Sequence, residues 1–105
     1  MNIIYLLECV NDDQTLYKIG YTKNSVKKRI EKLQTGNPHK IKELNSYKSY
    51  YGQLLEKTLH KHYSYCKKNG EWFSLDIAEV ANFIKTCEKI EKNFDALKDN
   101  PFFKN

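Results

Sequence analysis

Along the chain, the spacing of apolar residues changes period several times, and each change marks an element. Asn2 to Val10 and Thr15 to Tyr21 are rich in β-branched and aromatic residues, and the polar cluster Asn11-Asp12-Asp13-Gln14 separates them. Such side chains favour a tight turn, so the two runs predict a β-hairpin. Between Asn24 and Gln34, Val26, Ile30 and Leu33 recur at helical spacing, with Asn24 or Thr22 available as the cap. Thr35-Gly36-Asn37-Pro38 ends that helix, and Ile41 to Ser49 alternates as a third strand.

A second helix is expected from Tyr51 to about Cys66, with Tyr51, Leu55, Leu59, His62 and Cys66 in one stripe. On that reading His62 is a packed core histidine. Gly70 breaks the chain, Glu71 to Leu75 has strand composition, and Asp76 with Glu79 forms a capping box for a last helix of Val80, Phe83, Ile84, Cys87, Ile90 and Phe94. The order ββαβαβα gives an α+β class: a small, mostly antiparallel sheet opened by a hairpin and flanked by three helices. No repeat or linker interrupts it, so residues 1–97 read as a single domain and 98–105 as a C-terminal tail.

Length and charge narrow the functional classes. A chain of 105 residues houses one compact domain and one site. Its 18 Lys and Arg against 13 Asp and Glu give a formal charge of +5, which favours a polyanionic partner, though lysine-rich surfaces also serve solubility. Cys9, Cys66 and Cys87 have no paired spacing, so no disulfide framework is expected and an intracellular, reducing location is. No stretch reaches the roughly 18 apolar residues a membrane span requires.

Certain charged residues lie where a merely solvated helix would not put them. At about 100° per residue, Arg29 falls about 60° from Val26, at the edge of the apolar stripe. There it can offer a planar fork to a phosphate, or snorkel and pair with a structural carboxylate. Glu56 and His60, four apart, share one flank of the second helix, where a single carboxylate is enough for a hydrated Mg²⁺ ion. The alternative is an exposed helix pair. A zinc site from His60, His62 and Cys66 fails on geometry, because residues two apart on a helix point about 200° apart. In the hairpin, period two puts Tyr5 on one face of the first strand and Lys18 and Gly20 on one face of the second. If Tyr5 and Lys18 meet, the ammonium should lower the tyrosine's pKa from about 10 and prepare it to accept a proton. Gly20 on that face would leave room for a substrate backbone. Pattern alone equally permits a core tyrosine beside an exposed lysine.

Taken in order, Ile3-Ile-Tyr5, Tyr17-Lys-Ile-Gly-Tyr-Thr22, Val26-Lys-Lys-Arg-Ile30, Gln34-Thr-Gly-Asn-Pro38, Leu55-Glu-Lys-Thr-Leu-His60 and Gly70-Glu-Trp-Phe73 resemble the GIY-YIG endonuclease superfamily, in its small phage, viral and fungal DNA-binding branch. The resemblance spans Ile3 to Leu75. It departs at Ile3, where the family has glycine, and at Lys18, where the second-motif tyrosine would stand, Tyr17 being one position early and on the opposite face. The resemblance implies a DNA-processing endonuclease dependent on Mg²⁺ or Mn²⁺, with Tyr5, Lys18, Arg29 and Glu56 catalytic and Glu56 holding the metal. It also implies phosphate contacts from Gly20, Lys28 and His60, DNA as partner, and a second protein or domain for specificity. The alternative is a DNA-binding module on the same fold that does not cleave.

Overall fold

The two β-rich runs at the start become two long antiparallel strands, β1 (Asn2–Val10) and β2 (Thr15–Thr22), in the computed structural model, which describes residues 2–98. Asn11 N–H closes the turn onto the Gln14 carbonyl at 2.8 Å. Helix α1 (Val26–Gln34) follows, then β3 (Ile41–Ser49), which pairs antiparallel with the other edge of β1. Helix α2 (Gln53–His62) leads through a 3-10 turn at Ser64–Cys66 into two short strands, β4 (Lys67–Asn69) and β5 (Trp72–Phe73). The sheet order is β3-β1-β2-β5-β4, and helices α3 (Ile77–Ala81) and α4 (Phe83–Leu97) close the described chain. The α+β class expected from the sequence is the one observed. Of the expected tail, everything past Lys98 lies outside the described residues.

The sheet separates two cores. Ile4, Leu6 and Ile19 face α2 and α4 and pack with Leu55, Leu59, Tyr63, Phe83, Cys87 and Phe94. Tyr5, Leu7 and Cys9, on the opposite face, pack under α1 with Val26, Ile30 and Leu33. Both faces of β1 are therefore buried, and each fully buried leucine contributes about 1.5–3 kcal/mol by leaving water. Gln34 stitches α1 to β3, its amide donating to the Asn37 and His39 carbonyls and its oxygen accepting from Ile41 N–H.

Several boundaries differ from the sequence reading. Ser25, rather than Asn24 or Thr22, caps α1 by accepting from Lys28 N–H at 3.2 Å, while the Thr22 hydroxyl is occupied by Asn24 N–H. The second helix is shorter than expected at both ends. It starts after Gly52, whose φ of 46° suits glycine and where a Cβ would lie 2.6 Å from the Asn2 side chain. It stops at His62, and the tighter turn that follows swings Tyr63 into the core, so His62 is exposed, in edge contact with the Tyr63 ring. The strand expected over Glu71 to Leu75 is two residues long and gains β4 as an unforeseen partner. The capping box at Asp76 and Glu79 forms as expected, but the helix it starts breaks at Asn82, whose side-chain amide donates to the Ala78 carbonyl.

Candidate active site

The brevity of β5 creates the site. It covers β2 only at Tyr17 and Lys18, so the outer edge of β2 from Ile19 to Thr22 lacks a strand partner. An open edge leaves backbone groups to be satisfied. The Glu71 carbonyl takes the Ile19 N–H at 3.3 Å, and helix α2 supplies further partners. With Leu55 and Leu59 sunk in the core, Glu56 and His60 each sit one residue further round and meet that edge. His60 Nε2 donates to the Ile19 carbonyl at 2.7 Å, and the Glu56 carboxylate accepts from Tyr21 N–H. His60 is further held by an edge-on contact with the Phe73 ring, centroids 5.0 Å apart.

Beside this edge lies a cleft of about 210 Å³ lined by Tyr5, Lys18, Tyr21, Arg29, Leu33, Glu56 and Glu71. All four residues singled out from the sequence as catalytic thus face one hollow, brought there by β1, β2, α1 and α2. His60 sits on its rim and, with Glu56 and Glu71, forms a group whose ligating atoms lie within 4.8 Å of one another. A carboxylate–imidazole–carboxylate set of this span fits a divalent cation with mixed oxygen and nitrogen ligation. Lys28 is not in this cleft. It lines a neighbouring depression with Thr22, Ser25 and Lys32, and the exposed Arg29 forms the wall between the two.

Two expectations are corrected here. Lys18 does not lower Tyr5: its ammonium is 2.9 Å from Glu71 Oε1 and engaged there, two residues along the sheet from the Tyr5–Gly20 pair. Burial instead pushes the Tyr5 phenol up to about 12, against the pull of Arg29 and with help from the charges of Glu71 and Glu56. Nor does Gly20 leave space for a substrate. A Cβ there would stand 2.4 Å from the Tyr5 hydroxyl, so the missing side chain makes room for the phenol itself.

Burial, followed by the neighbouring Glu71, likewise pushes the Glu56 carboxyl up, and His60, Lys18 and the Tyr21 amide only partly offset this. Two carboxylates close together in a half-buried cleft repel, which is the electrostatic setting a cation relieves. Glu71 is the residue the sequence reading leaves without a role. The signal for it was the strand at Trp72, which pairs with Lys18 and so brings the preceding glutamate beside the lysine. Trp72 is half-buried against the α1-side core, with Lys18 Nζ 5.7 Å from its ring centroid. None of the helices among the described residues is long and apolar enough to cross a membrane.

A family model described as the T5orf172 domain matches residues 2–88 of the chain, a stretch that contains the whole cleft. No curated protein and no solved structure matches it.

Proposed function

Because this chain belongs to the T5orf172 domain family, we propose that it acts on DNA, as an endonuclease of GIY-YIG type that hydrolyses a phosphodiester bond in the Tyr5–Arg29–Glu56 cleft. The observation that carries the reading is the convergence of Tyr5, Lys18, Arg29 and Glu56 on one hollow of about 210 Å³, roomy enough for a phosphate and its bridging water. The exposed Lys23, Lys27, Lys57 and Lys61 around it supply attraction to a phosphate backbone without reading sequence.

Arg29, at the mouth with its guanidinium free of any protein carboxylate among the described residues, takes the phosphate oxygens and stabilises charge that builds on them. Lys18, held by Glu71, lines the side of the cleft towards Trp72. Tyr5 holds the attacking water through its hydroxyl. At neutral pH it does so as a phenol, and it becomes a better proton acceptor when the charges of Glu56 and Glu71 are neutralised, since these raise it while Arg29 lowers it. Glu56, with His60 and Glu71 beside it, would hold Mg²⁺ or Mn²⁺, which when bound supplies Lewis-acid stabilisation of the leaving oxygen.

The raised Tyr5 favours a second reading, a DNA-binding module of the same fold without cleavage. Incubating supercoiled and branched DNA with Mg²⁺ separates the two. Nicking by the wild type that falls by about 10²–10³ in Arg29→Ala and Glu56→Ala is expected for the endonuclease. Equal nicking by all three proteins would refute the site.

A further inference from the structure

Next to the cleft, on the same face of the sheet, lies a second hollow of about 270 Å³ that the proposed chemistry does not use. Cys9 and Leu16, a cross-strand pair, form its floor, and Trp72 forms one wall. Asn11, Asn37, His39 and Asn69 complete it. It thus joins one large aromatic ring to three primary amides. The Asn37 Oδ1 is taken by His39 N–H, and Asn11 Oδ1 lies 3.8 Å from the Cys9 thiol. The side-chain Nδ2 groups of Asn11, Asn37 and Asn69 donate to nothing among the described residues. A hollow with an aromatic wall and free side-chain amides suits a heterocycle that stacks and hydrogen-bonds along its edge.

Its position relative to the cleft specifies which heterocycle. Across the sheet, Leu7, Lys18, Trp72 and Asn69 pair in one row, between the Tyr5–Gly20 pair of the cleft and the Cys9–Leu16 pair of the hollow. Four strand residues separate the two floors, roughly 13 Å at 3.3 Å per residue. That is the span of about two nucleotides of an extended strand, each reaching at most some 6–7 Å, about twice the rise per nucleotide of a stacked duplex strand. Exposed Lys40 beside His39, and Lys67 and Lys68 leading to Asn69, border the hollow with positive charge.

Resting on the DNA reading above, we infer that this hollow takes one unpaired base of the strand whose phosphate occupies the cleft, stacked on Trp72. The base cannot remain in a duplex and enter the slot. The chain therefore prefers DNA with a single-stranded, flapped or distorted segment about two nucleotides from the phosphate it engages.

Trp72 is the chain's one tryptophan, so its emission reports on the slot directly. The metal-free protein is titrated with a short single-stranded oligonucleotide, a blunt duplex of the same sequence and a strand of abasic residues, with anisotropy of labelled DNA followed in parallel. Saturable quenching by the single strand, at the midpoint that anisotropy gives, and none by the abasic strand is expected. Trp72→Ala should bind the single strand about five- to hundredfold more weakly, and Trp72→Phe should recover most of that loss. DNA binding by anisotropy with unchanged emission overturns the base slot and leaves the DNA reading intact. Quenching by the abasic strand also overturns it. Absence of binding to any of the three overturns the DNA reading and the slot together.

Discussion

Substituting Gly20 by alanine tests the closest packing in the cleft. On an open strand the change should help, because glycine weakens a strand interior by roughly 0.5–1 kcal/mol relative to alanine. Here a Cβ would meet the Tyr5 hydroxyl oxygen at 2.4 Å, Cζ at 2.5 Å and Cε1 at 2.9 Å. The ring is 2 % exposed and packed under α1, so it cannot swing freely aside. Overpacking of this kind costs about 1–3 kcal/mol. For a domain of this size the melting temperature should fall by roughly 5–20 °C. Tyr5→Phe would not relieve the clash, since Cζ remains. Tyr5→Leu ends short of it, and in that background Gly20→Ala should become neutral or stabilising. Urea unfolding of the four proteins measures the coupling, expected at about 1–3 kcal/mol. A Gly20→Ala cost that is the same in both backgrounds would refute the packing argument.

Further outcomes follow from the same geometry. Mn²⁺ added to metal-free protein should raise its melting temperature in proportion to the logarithm of concentration above Kd, and Glu56→Ala should abolish the shift; a shift that survives the substitution places the ion elsewhere. Burial and Glu91 push the Cys87 thiol up to about 12, so a disulfide reagent at pH 8 should modify half-buried Cys66 first and Cys87 only on unfolding. Early labelling of Cys87 would contradict its placement. Tyr47 is raised from 10.0 to about 12 by burial and by Glu91. The folded chain keeps that proton longer than the unfolded one, so the stability it contributes is full below pH 10 and is lost as pH rises towards 12. Tyr47→Phe should lose less stability than the wild type between pH 8 and 11 in urea unfolding, and an equal loss would exclude the linkage.

Much of the fold was legible because local pattern and burial agree. The hairpin is two β-rich runs on either side of a polar turn, and Val26, Ile30 and Leu33 mark the buried side of α1. Legibility failed where tertiary contacts decide. Nothing local says that the helix after Gly52 tightens at Tyr63 and turns His62 out to solvent. Nor does composition reveal that α2 side chains, instead of a longer β5, satisfy the edge of β2 at Ile19 and Tyr21. The cleft shows the same division. Motif order placed Tyr5, Lys18, Arg29 and Glu56, whereas the role of Glu71 depended on strand pairing far along the chain. Periodicity gave the face shared by Tyr5 and Gly20, but it could not give the reach of a phenol across the neighbouring strand.

The most direct test of a hydrolytic cleft is to measure, on one DNA substrate with Mg²⁺, both the single-turnover cleavage rate and the affinity of wild type and Glu56→Ala. Cleavage by the wild type, slowed at least about 100-fold in the variant with affinity unchanged or tighter, is the expected result. Cleavage at the wild-type rate by Glu56→Ala, or a wild type that binds the DNA and leaves it intact, would contradict it.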